Sequence, residues 1–230
     1  MTNIHLVGGE KGGVGKSLVS RILAQYLIDR EIPFAGFDTD RSHGALMRFY
    51  PEHASPALVN HYEALDRIIE SAVENPGRRI LVDLAAQTFD PLVKWMDDSG
   101  VVNLADEMDI QVHYWHVMDC GKDSVDLLKR LLDRFGTGLR YVLVRNQLRG
   151  NDFSLLEQSG EQTRAQELGA KVITIKKLYE GVIMKIDNGS HSFAQAKSTE
   201  EDSIGFGLMD RQRVKMWLRD AYREFDDVGV

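Results

Sequence analysis

The chain has 230 residues, 43% of them hydrophobic, and a formal net charge of −7. That length suits one α/β domain with both sheet faces covered, and the acidic balance excludes a generally basic nucleic-acid binder, so any DNA contact is expected to be focal. The single cysteine, Cys120, excludes an internal disulfide and fits a reducing compartment. No run of about 18 apolar residues suggests a membrane span, and the N-terminus leads straight into a strand, so a cytoplasmic location is expected.

Ile4-His5-Leu6-Val7 reads as a strand. It leads into Gly8-Gly9-Glu10-Lys11-Gly12-Gly13-Val14-Gly15-Lys16-Ser17, and a helical pattern opens at Leu18. Strand, glycine-rich loop and helix in that order form the context of a phosphate-binding loop. Glycines let backbone N–H groups turn inward, the helix N-terminus adds positive potential, and a lysine and a hydroxyl stand where phosphate and Mg²⁺ would be. The strict pattern G-x-x-x-x-G-K-[ST] fails at Glu10; K-G-G-x-G-K-[ST] matches instead, with a second lysine, Lys11, ahead of the paired glycines. A glycine-rich turn with incidental lysines is the competing reading.

Apolar runs then alternate with helical periods, the pattern of a parallel sheet with crossover helices. The first helix ends at Glu31-Ile32-Pro33, and a strand from Phe34 to Phe37 closes in Asp38-Thr39-Asp40. Acidic residues at the carboxyl end of such a strand lie where ligands collect in open α/β sheets, although a surface turn explains them equally simply. Pro51 to Pro56 reads as loop and His61 to Val73 as an amphipathic helix. Arg79 to Asp83 is a strand closed by an aspartate, the Walker B form; a helix cap at Asp83 is the alternative. Asp90 to Met96 reads as helix, Gly100 to Leu104 as a connection and Ile110 to Val117 as strand. There His113 and His116 point to opposite faces and cannot chelate one ion. Ser124 to Phe135 is a clear amphipathic helix and Leu139 to Val144 the next strand. Gly150 to Ser159 reads as a loop anchored by Phe153, Gln162 to Leu168 as a short helix, Val172 to Ile175 as the last strand, and Asp187 to Ser192 as a turn-rich break. The closing helix, about 208–225, is expected to dock on the sheet, and its Arg211, Lys215, Arg219 and Arg223 recur every four positions. Such a stripe suits DNA phosphates, while neighbouring acidic residues favour a solvated face.

The Gly8 to Ser17 stretch resembles the deviant Walker A ATPases of the MinD/ParA group, and GEKGGVGKS is most similar to their plasmid StbB/TraL-like branch. The resemblance implies a single P-loop domain spanning residues 1–230, with a mostly parallel sheet flanked by helices on both faces. It implies that Gly12, Gly13, Val14, Gly15, Lys16 and Ser17 bind ATP, with Lys16 on the phosphates of its own subunit. Lys11 would reach across a nucleotide-sandwich homodimer to the other subunit's phosphates. Asp40 would orient or deprotonate the attacking water. Ser17 and Asp83 would hold Mg²⁺ with Asp38 in its outer shell, and Asn146, after the strand ending at Val144, would read the adenine edge. Arg41-Ser42 and Leu84-Ala85-Ala86-Gln87-Thr88 depart from the family wording, so the second switch is expected to move differently; Gln87 is a further candidate for the water or the γ-phosphate.

By this resemblance the chain is an ATP-dependent switch with slow hydrolysis, acting in plasmid partition, stability or conjugative transfer with a small DNA-binding adaptor. A MinD-type membrane tail does not fit the acidic end, Asp226-Asp227-Val228-Gly229-Val230. One cysteine is too few for a subunit-bridging iron–sulfur cluster. A metabolic ligase of the same fold, of the dethiobiotin synthetase or cobyrinate amidating type, is the runner-up, but such ligases do not need Lys11.

Overall fold

The computed structural model describes residues 2–9, 11–40, 44–198 and 205–230. Its strands are β1 (Thr2–Gly8), β2 (Phe34–Asp38), β3 (Ala54–Pro56), β4 (Arg79–Asp83), β5 (Ile110–Met118), β6 (Arg140–Asn146) and β7 (Lys171–Ile175). They form one sheet in the order β3-β2-β4-β1-β5-β6-β7, and every pairing in it is parallel. The helices are α1 (Lys16–Asp29), α2 (Ala45–Phe49), α3 (Tyr62–Glu74), α4 (Phe89–Asp98), α5 (Val101–Glu107), α6 (Lys122–Phe135), α7 (Ser154–Gln158), α8 (Glu161–Glu167), α9 (Glu180–Gly189), α10 (Phe193–Lys197) and α11 (Leu208–Val228).

Side chains alternate across a strand, so each central strand supplies two cores. Ile80 and Val82 of β4 enter the core under α3 to α8, with Leu65, Leu92, Leu128 and Leu156. Leu81 between them enters the opposite core, under α1, α2, α9, α10 and α11, with Val19, Leu46, Val182, Phe193 and Val214. Burial on both faces is why β1 and β4 read as unbroken apolar runs. The closing helix docks through Val214, Trp217, Leu218, Ala221 and Phe225, all buried, and runs on to Val228.

Several connecting segments carry more structure than the sequence suggests. Residues 54–56, read as loop, form a three-residue edge strand on β2; Pro56 is tolerated because an edge strand need not donate on its outer side. The connection at Gly100 holds α5, whose entry Gly100 is left-handed. Phe153 is buried as expected, yet the loop beyond it is the helix α7. Asp187, Asn188 and Gly189, read as a break, are the last turn of α9, and a capping box at Ser192 and Gln195 then opens α10. Glu10, Arg41-Ser42 and residues 199–203 of the polar loop lie outside the described residues. Among the described residues no helix is long and apolar enough to cross a membrane.

Candidate functional site

The loops after β1, β2, β4, β5 and β6 meet at the carboxyl edge of the sheet, where the strand order reverses around β1. The loop after β1 turns through Gly9, Gly13 and Gly15, with φ of 145°, 73° and 95°. A side chain at Gly15, the residue that opens α1, would be strained and would collide with Asn146 Nδ2. The first turn of α1, whose N-terminal N–H groups carry positive potential, therefore follows directly on the loop. Lys16 is 7% exposed and folds back across the loop, donating from Nζ to the Lys11 carbonyl at 3.1 Å.

Asp38 and Asp83 are direct register partners at the ends of β2 and β4. Ser20 Oγ, one helical turn beyond Ser17, donates to Asp83 Oδ1 at 2.9 Å, and the Ser17 hydroxyl also bonds this carboxylate. Burial, with the nearby Asp38 charge, pushes the Asp83 carboxyl up to about 7 against the pull of Ser17, Ser20 and Lys16. Asp38 is also raised by burial, against backbone bonds that it accepts from Asp40 at 3.0 Å and from Leu46 and Met47 at the start of α2. Asp38 thus ties the end of β2 to the start of α2. Ser17 and Asp83 form a hydroxyl–carboxylate pair of hard oxygens, a donor set suited to Mg²⁺ when nucleotide phosphates complete it. Among the described residues no cluster of three or more His, Cys, Asp or Glu forms a metal cage without such help.

Thr39 ties the two acidic loops together. Its hydroxyl donates to the Asp83 carbonyl at 3.1 Å and accepts from the Ala85 N–H at 2.7 Å, and its own N–H reaches the Asp83 carbonyl at 3.0 Å. Asp40 follows directly in the chain. Gln87, two residues beyond Ala85, sits in the left-handed region at φ 60°, a strained setting for a residue other than glycine.

Lys11 leaves the loop toward the end of β5. Its amino group lies 3.2 Å from Asp119 Oδ2 and 3.6 Å from Asp123 Oδ2. Burial alone would raise the Asp119 carboxyl, but Ser124 Oγ, the Gly121 N–H and Lys11 hold it below the usual carboxylate range. Asn146, at the end of β6, donates from Nδ2 to the Val14 carbonyl at 2.8 Å and accepts from the Leu148 N–H at 3.3 Å. It braces the glycine loop from a buried position. Arg149, in the same segment, lies against Gly13. Cys120 stands beside this site with its thiol pushed up by burial, as befits a structural residue.

Ser20, Thr39, Asp119 and Arg149 were not anticipated from sequence. Ser20 lies three residues after Ser17 on one helical face, and Asp119 ends a strand as Asp38 and Asp83 do, so both carried a legible signal. Thr39 and Arg149 carried none. The basic stripe of α11 lies elsewhere, and it divides. Arg211 bonds the Phe206 carbonyl at 3.1 Å, whereas Lys215, Arg219 and Arg223 line a cleft of about 400 Å³ with Arg30 and Lys197.

Comparison with known proteins places the fold and the loop together. The family model described as the CobQ/CobB/MinD/ParA nucleotide binding domain matches residues 6–191. The chain belongs to this nucleotide-binding family. It is 27% identical to protein MobD of Acidithiobacillus ferrooxidans, covering 98% of this chain and 97% of that protein. It is 24% identical to protein TraL of Escherichia coli over the whole of both chains. Among solved structures it resembles the MinD cell division protein of Aquifex aeolicus, with a TM-score of 0.55 and 13% identity over 100% of this chain and 98% of that one, a likeness of fold. The all-parallel sheet and the full-length likeness to TraL agree with the plasmid-associated, ParA-like branch that the Gly8 to Ser17 stretch suggested.

Proposed function

We propose that this protein is an ATP-dependent switch whose ATP-bound form is a homodimer and whose slow hydrolysis of ATP returns it to monomers, acting in plasmid partition, stability or conjugative transfer. The observation that carries this reading is Lys11. It stands on the rim of the phosphate loop, part-exposed and held by Asp119 and Asp123, rather than folded into the loop as Lys16 is. A cation parked on carboxylates at the rim is available to a second subunit's phosphates. A ligase acting on a small carboxylate has no need of it.

In this reading the N–H groups of residues 12–17 and Lys16 hold the phosphates, and Ser17 and Asp83 hold Mg²⁺, with Asp38 adding negative charge behind them. When bound, the ion offsets charge on the phosphate oxygens. Asp83 would hold the ion as a carboxylate. Asp40, tied through the Thr39 bonds to the loop that carries Gln87, orients the attacking water. Asn146 holds the loop and addresses the base. Lys215, Arg219 and Arg223 contact DNA phosphates through the cleft on α11, and a small DNA-binding adaptor is the expected regulator. The protein is expected in the cytoplasm. Acceptor-free turnover tests the reading: purified protein with ATP and Mg²⁺ alone should release phosphate slowly. ADP release that requires an added carboxylate acceptor would instead establish the ligase.

A further inference from the structure

We propose that Arg149 is an additional phosphate-contacting residue of this site, acting beside Lys11 on the same terminal phosphate that Lys11 addresses across the nucleotide-sandwich dimer. The inference rests on the nucleotide-switch reading above. Three observations lead to it. The guanidinium lies directly over Gly13, so that any side chain at that left-handed position, φ 73°, would collide with Arg149 Nη2. The same Asp119 oxygen, Oδ2, that holds Lys11 at 3.2 Å lies 3.9 Å from Arg149 Nη1. The segment that carries Arg149 is itself pinned to the loop through Asn146, which grips the Val14 carbonyl and the Leu148 N–H.

Asp119 is well placed to serve both cations, because Ser124 Oγ and the Gly121 N–H occupy Oδ1 and its side chain is only 8% exposed. Asp119 and Asp123 together offset Lys11 and Arg149, but Asp123 reaches only Lys11, so the guanidinium has Asp119 alone, at 3.9 Å. That carboxylate occupies few of the five N–H donors of a guanidinium, whose planar fork matches a phosphate face. The terminal phosphate is the one favoured by the shared position with Lys11. A triphosphate therefore competes with Asp119 for both cations, whereas a diphosphate lacks the group that they address.

Binding of ATP and of ADP, each with Mg²⁺, to the full-length protein and to R149Q and R149K tests this. The expected result is that R149Q binds ATP about tenfold more weakly with ADP affinity nearly unchanged, and that R149K recovers part of the loss. The melting temperature without nucleotide should hardly move, since Arg149 is half-exposed and 3.9 Å from Asp119, which keeps its Ser124, Gly121 and Lys11 partners. Wild-type affinity for ATP in R149Q, or an equal loss for ATP and ADP, would overturn the assignment. Wild-type protein that binds neither nucleotide would overturn the site reading itself, a separate result.

Discussion

At the N-terminus of α1, Lys11, Lys16 and Arg149 crowd a glycine loop; at its C-terminus, about 21 Å away by helix rise, Arg30, Lys197, Lys215, Arg219 and Arg223 line an open cleft. The cleft holds more cations, but it holds them differently. Near the loop two acids are buried and doubly fixed, Asp119 by Ser124 and Gly121 and Asp83 by Ser17 and Ser20, while Asp123 stands in solvent. In the cleft, Arg30 meets Asp226 at 2.7 Å and Arg219 meets Asp220 at 3.2 Å in pairs that stand largely in solvent, and Lys197 meets Asp29. Buried, oriented charge sets geometry for one ligand shape. Exposed pairs contribute about 0–1 kcal/mol each, weaken with salt and suit a long, repeating polyanion.

The largest effect is therefore expected at the loop. Lys16→Ala removes a buried amino group that the proposed function assigns to phosphate, and nucleotide affinity should fall on the order of 100-fold with turnover lost; calorimetry that shows wild-type affinity would remove the phosphate-loop reading. Asp40→Ala should bind ATP and remain dimeric while hydrolysis falls by about 10² or more, which single-turnover kinetics will show. Rapid hydrolysis in that variant would place the water-orienting group elsewhere.

Thr39→Val keeps the shape and deletes the hydroxyl between the two acidic loops. It should cost about 1–3 kcal/mol in urea unfolding and lower kcat more than it changes KM, with Thr39→Ser restoring both. An unchanged kcat would mean that the loops act independently.

The histidines give a pH test of the scaffold. Burial lowers His113 and His116 to about 4, and His5 also titrates well below its ordinary value. The unfolded chain then binds more protons between about pH 4 and pH 6.5, so stability is complete above that window and is lost as pH falls through it, by up to about 3 kcal/mol for each of His113 and His116. Urea midpoints measured from about pH 7 down to about pH 5 should fall, and less steeply in His113→Gln. A flat profile would show that these rings are not held neutral. The smallest effect belongs to the cleft: reversing charge at Arg219 and Arg223 should weaken DNA co-sedimentation at low salt and leave nucleotide binding alone. Unchanged co-sedimentation would reduce the cleft to plain surface.

The same contrast separates what the sequence disclosed from what it withheld. Strand β1, the glycine loop and the aspartates at the ends of β2 and β4 are legible because each is set by local pattern: apolar runs, glycine spacing, acid at a strand end. The β3 edge strand is not, because three residues ending in Pro56 carry no period, and they become a strand only by lying beside Gly36, Phe37 and Asp38 of β2. Helix α9 was obscured by Asp187-Asn188-Gly189, turn formers that serve here as a helix end. Thr39 reads as one residue in a polar turn until sheet order places Ala85 beside it. Asp119 meets both Lys11 and Arg149 only because β1, β5 and β6 are neighbours. Residues that define the loop were thus visible, and residues that orient its charges became visible only in the fold.

The dimer rests on Lys11, and light scattering of the purified protein with ADP, ATP and a slowly hydrolysed ATP analogue tests it most directly. The mass should double with ATP or the analogue, remain that of one chain with ADP, and fail to double in Lys11→Ala even where that variant still binds ATP. A mass that stays monomeric with the analogue bound, or a Lys11→Ala protein that dimerises as the wild type does, would contradict the proposed switch.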